Sequence, residues 1–272
     1  MIDFPIAKIN LGLRVTAKRP DGYHDIETVF YPVGLCDALE FVVSGKSAVN
    51  DSIATSGFNI GVDPEENLVI RTVKRIRERY TFPYLRIHLH KGIPTGAGLG
   101  GGSSDSASIL ITINRHFGLE MPEKELNSIA LELGSDCPFF LEGVPVVASG
   151  RGEILKPVIP VLSGYHLVLL NPGVGISTRE AYQNVKPAKS SEGLPELIAH
   201  PINEWRKLIM NDFEDFAFKK HAVIGKIKAE LYENGALFSL MSGSGSSVYG
   251  IFRERPQLAG SLKRYLIYEG KL

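Results

Sequence analysis

The stretch "GIPTGAGLGGGSSDSASIL", residues 92–110, puts six glycines into the eleven positions from Gly92 to Gly102, then small hydroxyl residues and an apolar helical pattern. Glycine lets a backbone come close to an anion and turn its N–H groups inward, and a helix start adds unbonded N–H groups and a positive dipole end. Ser103 and Ser104 add hydroxyls there. A tight strand-to-helix turn needs one or two glycines, so six point to a cradle of triphosphate size. The segment "GAGLGG" satisfies G-x-G-x-x-G, but a dinucleotide fold would continue to a second strand ending in an acid. Here "LEMPEKELNSIALELG" follows, which is helical in pattern. The P-loop, G-x-x-x-x-G-K-[ST], is excluded as well, because its lysine is missing.

Working outward, "YLRIHLH" alternates with period two and runs into the loop as a strand. Leu85, Ile87 and Leu89 share one face; His88 and His90, on the other with Arg86, read as the wet side of a half-buried strand rather than a metal pair. Asp63-Pro64-Glu65-Glu66 signals a helix start, with Val69, Val73, Ile76 and Tyr80 on its buried face. Helices are predicted over 103–116 and 123–133, the second stopped by Gly134. "PIAKINLGLRVTAKR" and "CDALEFVVS" read as strands. The prolines of "KPVIPVLSGYHLVLLNPG" suggest a domain change near 157–163, dividing the chain into 1–158 and 159–272. Beyond it come amphipathic helices around "INEWRKLIMNDFEDF" and "AVIGKIKAELYENG", strands "ALFSLMSG" and "SVYGIF", and a last helix, a second α+β layer.

The 272 residues are 44% hydrophobic and carry 30 basic and 30 acidic side chains. That is enough for a packed core, and the balance favours neither nucleic acid nor an anionic membrane as partner. No long apolar span or signal-peptide pattern is present, and Cys36 and Cys137 read as buried free thiols of a reducing, cytoplasmic compartment.

Three further segments stand out. "PIAKINLGL" puts Lys8 and Asn10 one strand period apart, on one face. "RPDGYHDIETVF" is a turn followed by Tyr23, His24 and Phe30; in "ELGSDCPFFLEG", Asp136 sits between a helix stop and an apolar run. Singly they read as an edge lysine, a hairpin with a packed aromatic, and a solvated acid. In order, with "ENLVIR" and "MSGSGSSVYGIF", they resemble the GHMP kinase superfamily over nearly the whole chain. "RPDGYH" after "AKINL", with "GGGSSD" and "LGSDCPFF", narrows the resemblance to its branch in non-mevalonate isoprenoid biosynthesis.

That resemblance implies an α+β, two-domain GHMP kinase fold: a ribosomal-protein S5 domain 2-like N-terminal domain and a ferredoxin-like C-terminal domain. It implies ATP-dependent phosphorylation of a cytidine-diphosphate-linked polyol at its 2-hydroxyl. The ATP site would comprise Pro94, Thr95, Gly96, Ala97, Gly98, Leu99, Gly100, Gly101, Gly102, Ser103 and Ser104, with Lys91 just upstream and Asn67 near the adenine. Lys8 and Asp136 match the catalytic pair, Asp136 receiving the hydroxyl proton and Lys8 easing the developing charge. A carboxylate is a weak base for an alcohol, which a loose phosphoryl-transfer transition state tolerates. Tyr23 and His24 match the cytosine pocket, with Tyr182 as the opposite stacking face, Phe30 on the same wall, and Asn10 and Thr178 nearby. Mg2+ would accompany ATP, its protein ligands unassigned. The alternatives are kinases of the homoserine or mevalonate type, which have no reason for Tyr23, His24 and Tyr182, and a non-catalytic nucleotide-binding regulator, against which Lys8 and Asp136 argue. The sequence sets no oligomeric state.

Overall fold

The computed structural model describes residues 1–45, 47–188 and 190–272. Its strands are β1 (Ile2–Asp3), β2 (Ile6–Lys18), β3 (His24–Cys36), β4 (Ala38–Val43), β5 (Ser52–Gly57), β6 (Leu85–Lys91), β7 (Val146–Ser149), β8 (Ile154–Pro157), β9 (His166–Leu170), β10 (Phe238–Met241), β11 (Val248–Phe252) and β12 (Leu266–Lys271). Its helices are α1 (Leu68–Arg77), α2 (Gly101–Phe117), α3 (Glu123–Leu133), α4 (Phe139–Glu142), α5 (Thr178–Asn184), α6 (Leu194–Ile198), α7 (Trp205–Leu208), α8 (Glu214–Lys220), α9 (Ala222–Glu233) and α10 (Gly260–Lys263).

The chain divides into two compact units, each discontinuous in sequence. One comprises Met1–Ala7, Leu35–Thr95 and Gly100–Val144; the other comprises Lys8–Gly34, Gly96–Leu99 and Pro145–Leu272. Position 158/159 thus lies within the second unit, between β8 and β9.

In the first unit a sheet of order β1-β4-β6-β5 pairs β5 parallel to β6 and the remaining neighbours antiparallel. On β6, Leu85, Ile87 and Leu89 are buried while Arg86, His88 and His90 are exposed, as the period predicts. His88 Nε2 and His90 Nδ1 each lie 3.0 Å from Ser56 Oγ. Among the described residues no group of three or more metal-ligating side chains forms. The apolar face packs with Val69, Val73 and Ile76 of α1 and Ile109, Leu110 and Ile113 of α2. The predicted cap needs correction. Asp63 opens only a 3-10 turn, Pro64–Glu66, and Asn67 caps α1 by accepting the Val69 N–H at 2.9 Å. Tyr80 lies beyond the helix end and bonds Glu125 at 2.8 Å.

The second unit contains a sheet of order β2-β3-β7-β8 and an antiparallel sheet of order β10-β11-β9-β12. With α5–α9 between β9 and β10, and α10 between β11 and β12, the latter has the ferredoxin-like βαββαβ connection that was expected. Strand β12 was missed, because "LIYEGK" is short and half-buried and lacks clean alternation. The helix expected around "INEWRKLIMNDFEDF" is broken into α7 and α8. Between them Asn211 is extended, bridged to Leu13, and donates to the carbonyls of Met241 and Gly243 at 2.8 Å each. Tertiary bonds override the helical pattern there.

Ile113, fully buried on α2, reports on the packing that seats this helix. Ile113→Ala should destabilise the protein by about 2–5 kcal/mol, read from urea unfolding.

Candidate active site

On β2, Lys8 and Asn10 are 4% and 1% exposed, so neither is the surface residue an isolated strand pattern would suggest. The Lys8 ammonium donates to Asn10 Oδ1 at 2.6 Å and to the Gly98 carbonyl at 3.3 Å, and lies 4.8 Å from the centroid of the Phe30 ring. Asn10 Nδ2 donates to Thr28 Oγ1 at 2.8 Å, and Thr28 donates to Gly12 O at 2.6 Å. The Tyr249 hydroxyl donates to Asn10 O at 2.8 Å. A buried ammonium is tolerable only where acceptors meet it, and this network fixes two of them. Phe30 is 1% exposed, and its ring lies against the lysine.

The Gly98 carbonyl also accepts from Ser242 Oγ at 2.8 Å, while the Ser247 N–H donates to Ala97 O at 3.2 Å. The middle of the glycine loop is thereby docked on the "MSGSGSS" turn, itself held by Asn211. Gly96, Gly98 and Gly100 have φ of 65°, 77° and 73°, so every second residue is left-handed. A side chain at 98 would have no room: its Cβ would lie 2.0 Å from the Ser242 carbonyl.

In the first unit, α2 begins at Gly101, two residues before the predicted start, and its cap residue Gly100 makes no side-chain capping bond. Thr95, Gly96 and Gly102 are exposed, Ser103 is half-buried and Ser104 is buried. The turn carrying Asp136 rests on this helix start. Cys137 N–H donates to Gly134 O at 3.1 Å, and its buried thiol is bonded to Ser103 and Ser106. Burial pushes that thiol up, the two serines opposing, so Cys137 is the inert buried thiol that was expected.

Lys91 is 4% exposed and its ammonium lies between two carboxylates, donating to Asp37 and, at 2.6 Å, to Asp105. Asn67, whose side-chain oxygen is engaged in capping α1, is 6% exposed.

The aromatic residues gather in the second unit. His24 stacks on Tyr182, with centroids 5.0 Å apart and planes at 22°, and Tyr182 meets Phe213 edge-on at 4.9 Å. Tyr23 is 55% exposed, and the Arg151 guanidinium lies 4.8 Å from its ring centroid. Thr178 Oγ1 lies 3.1 Å from Ser244 Oγ, on the glycine-rich turn.

Two family models match the chain: the GHMP kinases N-terminal domain over residues 67–144 and the GHMP kinases C-terminal domain over 194–269. The chain belongs to the GHMP kinase family. It groups there with proteins named 4-diphosphocytidyl-2-C-methyl-D-erythritol kinase. The Bacteroides thetaiotaomicron protein of that name is 49% identical over 252 residues, 93% of this chain and 92% of the relative. That of Cytophaga hutchinsonii is 42% identical over 94% of each chain. A crystal structure of 4-(cytidine 5'-diphospho)-2C-methyl-D-erythritol kinase matches with a TM-score of 0.74 at 33% identity, covering 92% of this chain and 90% of that one. The mevalonate kinase of Methanococcus jannaschii, 12% identical, shares the fold with a TM-score of 0.62 over 97% and 92%.

Sequence reasoning missed the supporting residues of these clusters. Ser242 and Thr28 lie inside quoted motifs but carried no signal beyond being small and polar. Asn211 was hidden in an apparent helix, and Asp37 in an apparent strand, where a lone acid between apolar runs was the available clue.

Gly98→Ala combines left-handed strain, about 1–2 kcal/mol, with a backbone clash, whereas at Gly96 nothing lies within 4 Å of the added Cβ. Kinase activity should fall much further in Gly98→Ala than in Gly96→Ala, measured side by side at limiting ATP.

Proposed function

We propose that this kinase transfers the terminal phosphoryl group of ATP to the 2-hydroxyl of 4-diphosphocytidyl-2-C-methyl-D-erythritol. The observation that carries this reading is the 49% identity, over 93% of the chain, to a relative of that name. Several features of the chain support it.

The glycine loop, Pro94 to Ser104, binds the triphosphate with backbone N–H groups and the open start of α2. Asn67 stands beside the adenine, and Lys91 serves the nucleotide from beneath the loop. Magnesium arrives with ATP as part of the substrate. Among the described residues no group of three or more His, Cys, Asp or Glu side chains forms, so no protein ligand to the metal is assigned.

Asp136 orients the acceptor hydroxyl and takes its proton late, because phosphoryl transfer needs little activation of the nucleophile. Lys8, fixed by Asn10 and the Gly98 carbonyl, eases the negative charge that develops as the hydroxyl attacks. The acceptor's base stacks on the exposed ring of Tyr23. Tyr182, expected as the opposite stacking face, is itself stacked on His24 at 5.0 Å, so the two rings would border the base together, while Asn10 and Thr178 would meet the rest of the acceptor. A base–aromatic stack is worth about 1–3 kcal/mol, enough to separate this acceptor from a bare polyol.

A coupled assay for ADP release with this acceptor tests the reading, with homoserine and mevalonate in parallel. Turnover is expected only with the cytidyl substrate; turnover confined to either rival would overturn the assignment. Asp136→Asn should lower kcat by roughly 10²- to 10⁴-fold with little change in KM for either substrate. Unaltered kcat in the purified variant would remove Asp136 from this role.

A further inference from the structure

We propose that Asp105 is a positioning residue of the nucleotide loop, closing with Lys91 and Asp37 a buried ionic clamp across the two stems of that loop. Lys91 ends β6 and is followed at once by the entry stem, Gly92 and Ile93. Asp37 Oδ1 accepts both stem N–H groups, at 2.7 and 2.8 Å, while its Oδ2 accepts the Lys91 ammonium. Asp105 lies in the opening turns of α2, the exit stem, and its Oδ2 accepts the same ammonium at 2.6 Å. One cation therefore ties residues 92–93 to residue 105. The glycine-rich segment between them, costly to order because glycine has the most backbone freedom to lose, starts and ends at fixed points. This role rests on reading the loop as the ATP site. It gives Lys91 and Asp105 their effect through the loop rather than by touching the nucleotide.

The clamp holds two carboxylates and one ammonium, 1%, 2% and 4% exposed, so one negative charge is in excess unless a proton is held. Asp37 receives three donors. Asp105 accepts from Lys91 and shares a hydrogen bond with Asp37, which needs a proton between the two carboxyls, and its Oδ1 is buried with no hydrogen-bond partner. Asp105 is accordingly the member that takes the proton. Burial and the charge of Asp37 push its carboxyl up to about 8, against the opposing pull of Lys91. Asp3 of β1, the next acid along α2, bonds Ser108 at 2.6 Å one turn further on. Below about pH 8 the clamp is neutral. Above it a negative charge appears beneath the opening of α2, where a polyphosphate must bind.

The test is calorimetric binding of a non-hydrolysable ATP analogue and of adenosine to wild type and Asp105→Asn, from about pH 6.5 to 9.5. The Asn side chain keeps an oxygen for Lys91 and cannot ionise. Wild-type affinity for the analogue should fall, relative to Asp105→Asn, by about fivefold or more as pH rises through about 8; comparing proteins with one ligand cancels the ligand's own titration. Adenosine, lacking phosphates, should show no such difference. Asp105→Ala should raise KM for ATP more than it alters kcat, and Asp105→Asn should restore it.

A second readout needs no ligand. The folded chain holds the Asp105 proton to about pH 8, whereas a free aspartate releases it near about 4. The folded state binds more protons across that window, so stability falls as pH rises through it. Asp105→Asn should flatten that fall in melting temperature. Equal pH slopes in wild type and Asp105→Asn would overturn the proposal alone. Failure of wild type to bind the analogue at any pH would overturn the ATP reading and the proposal with it.

Discussion

A loop that grips an anion with its own backbone must be free of side chains and also rigid, and these demands conflict. Glycine satisfies the first and defeats the second, because each one enlarges the ensemble the loop must abandon. The structure fixes carbonyls and stems of this loop. Gly98 O accepts from Ser242 Oγ and from Lys8 Nζ, and Ala97 O accepts from Ser247 N–H. With those carbonyls engaged, alternate glycines hold positive φ as a fixed zigzag. If this loop is the triphosphate site proposed above, oriented amides and a helix start would supply the positive potential that a flexible ammonium supplies in a P-loop.

Lys8 and Lys91, both buried, stand in different settings. Lys91 is surrounded by carboxylates, and its charge is consumed in joining β6 to α2. Lys8 donates to an amide oxygen and a peptide carbonyl and lies over the face of Phe30. Under the proposed reading, Lys8 is the one that answers charge developing during phosphoryl transfer.

What the sequence disclosed follows from how local each signal is. Helix α3 ends at Gly134 as predicted, and β6 alternates as predicted, because both depend on neighbours within a few positions. The glycine loop was legible because nothing else explains its composition. The cap of α1 was misjudged: Asp63 and Asn67 both precede helical residues, and only the break in backbone direction at Asn67, with ψ of 130°, selects between them. Asn211 and Asp37 were illegible because their partners are remote in sequence. Asn211 bonds residues 241 and 243, and Asp37 bonds 91, 92 and 93. Polar residues whose role is to hold a distant backbone carry no local period.

The same reasoning separates family from substrate. The mevalonate kinase of Methanococcus jannaschii shares this fold at 12% identity, so the layers and the sheet order cannot by themselves select an acceptor. Selection has to come from side chains displayed on that frame. The turn between β2 and β3 is suited to it, being built from interactions that do not disturb the sheet. Arg19 pairs with Asp21 and Asp25, Gly22 takes φ of 86°, and the Tyr23 N–H bonds Asp21 at 3.0 Å. This small self-contained turn lifts Tyr23 into solvent while His24, the first residue of β3, stays stacked on Tyr182. Under the proposed reading, an exposed ring beside a stacked imidazole offers the flat surface by which a nucleobase is told from a polyol. Acceptor choice would then be set at this turn rather than at the glycine loop.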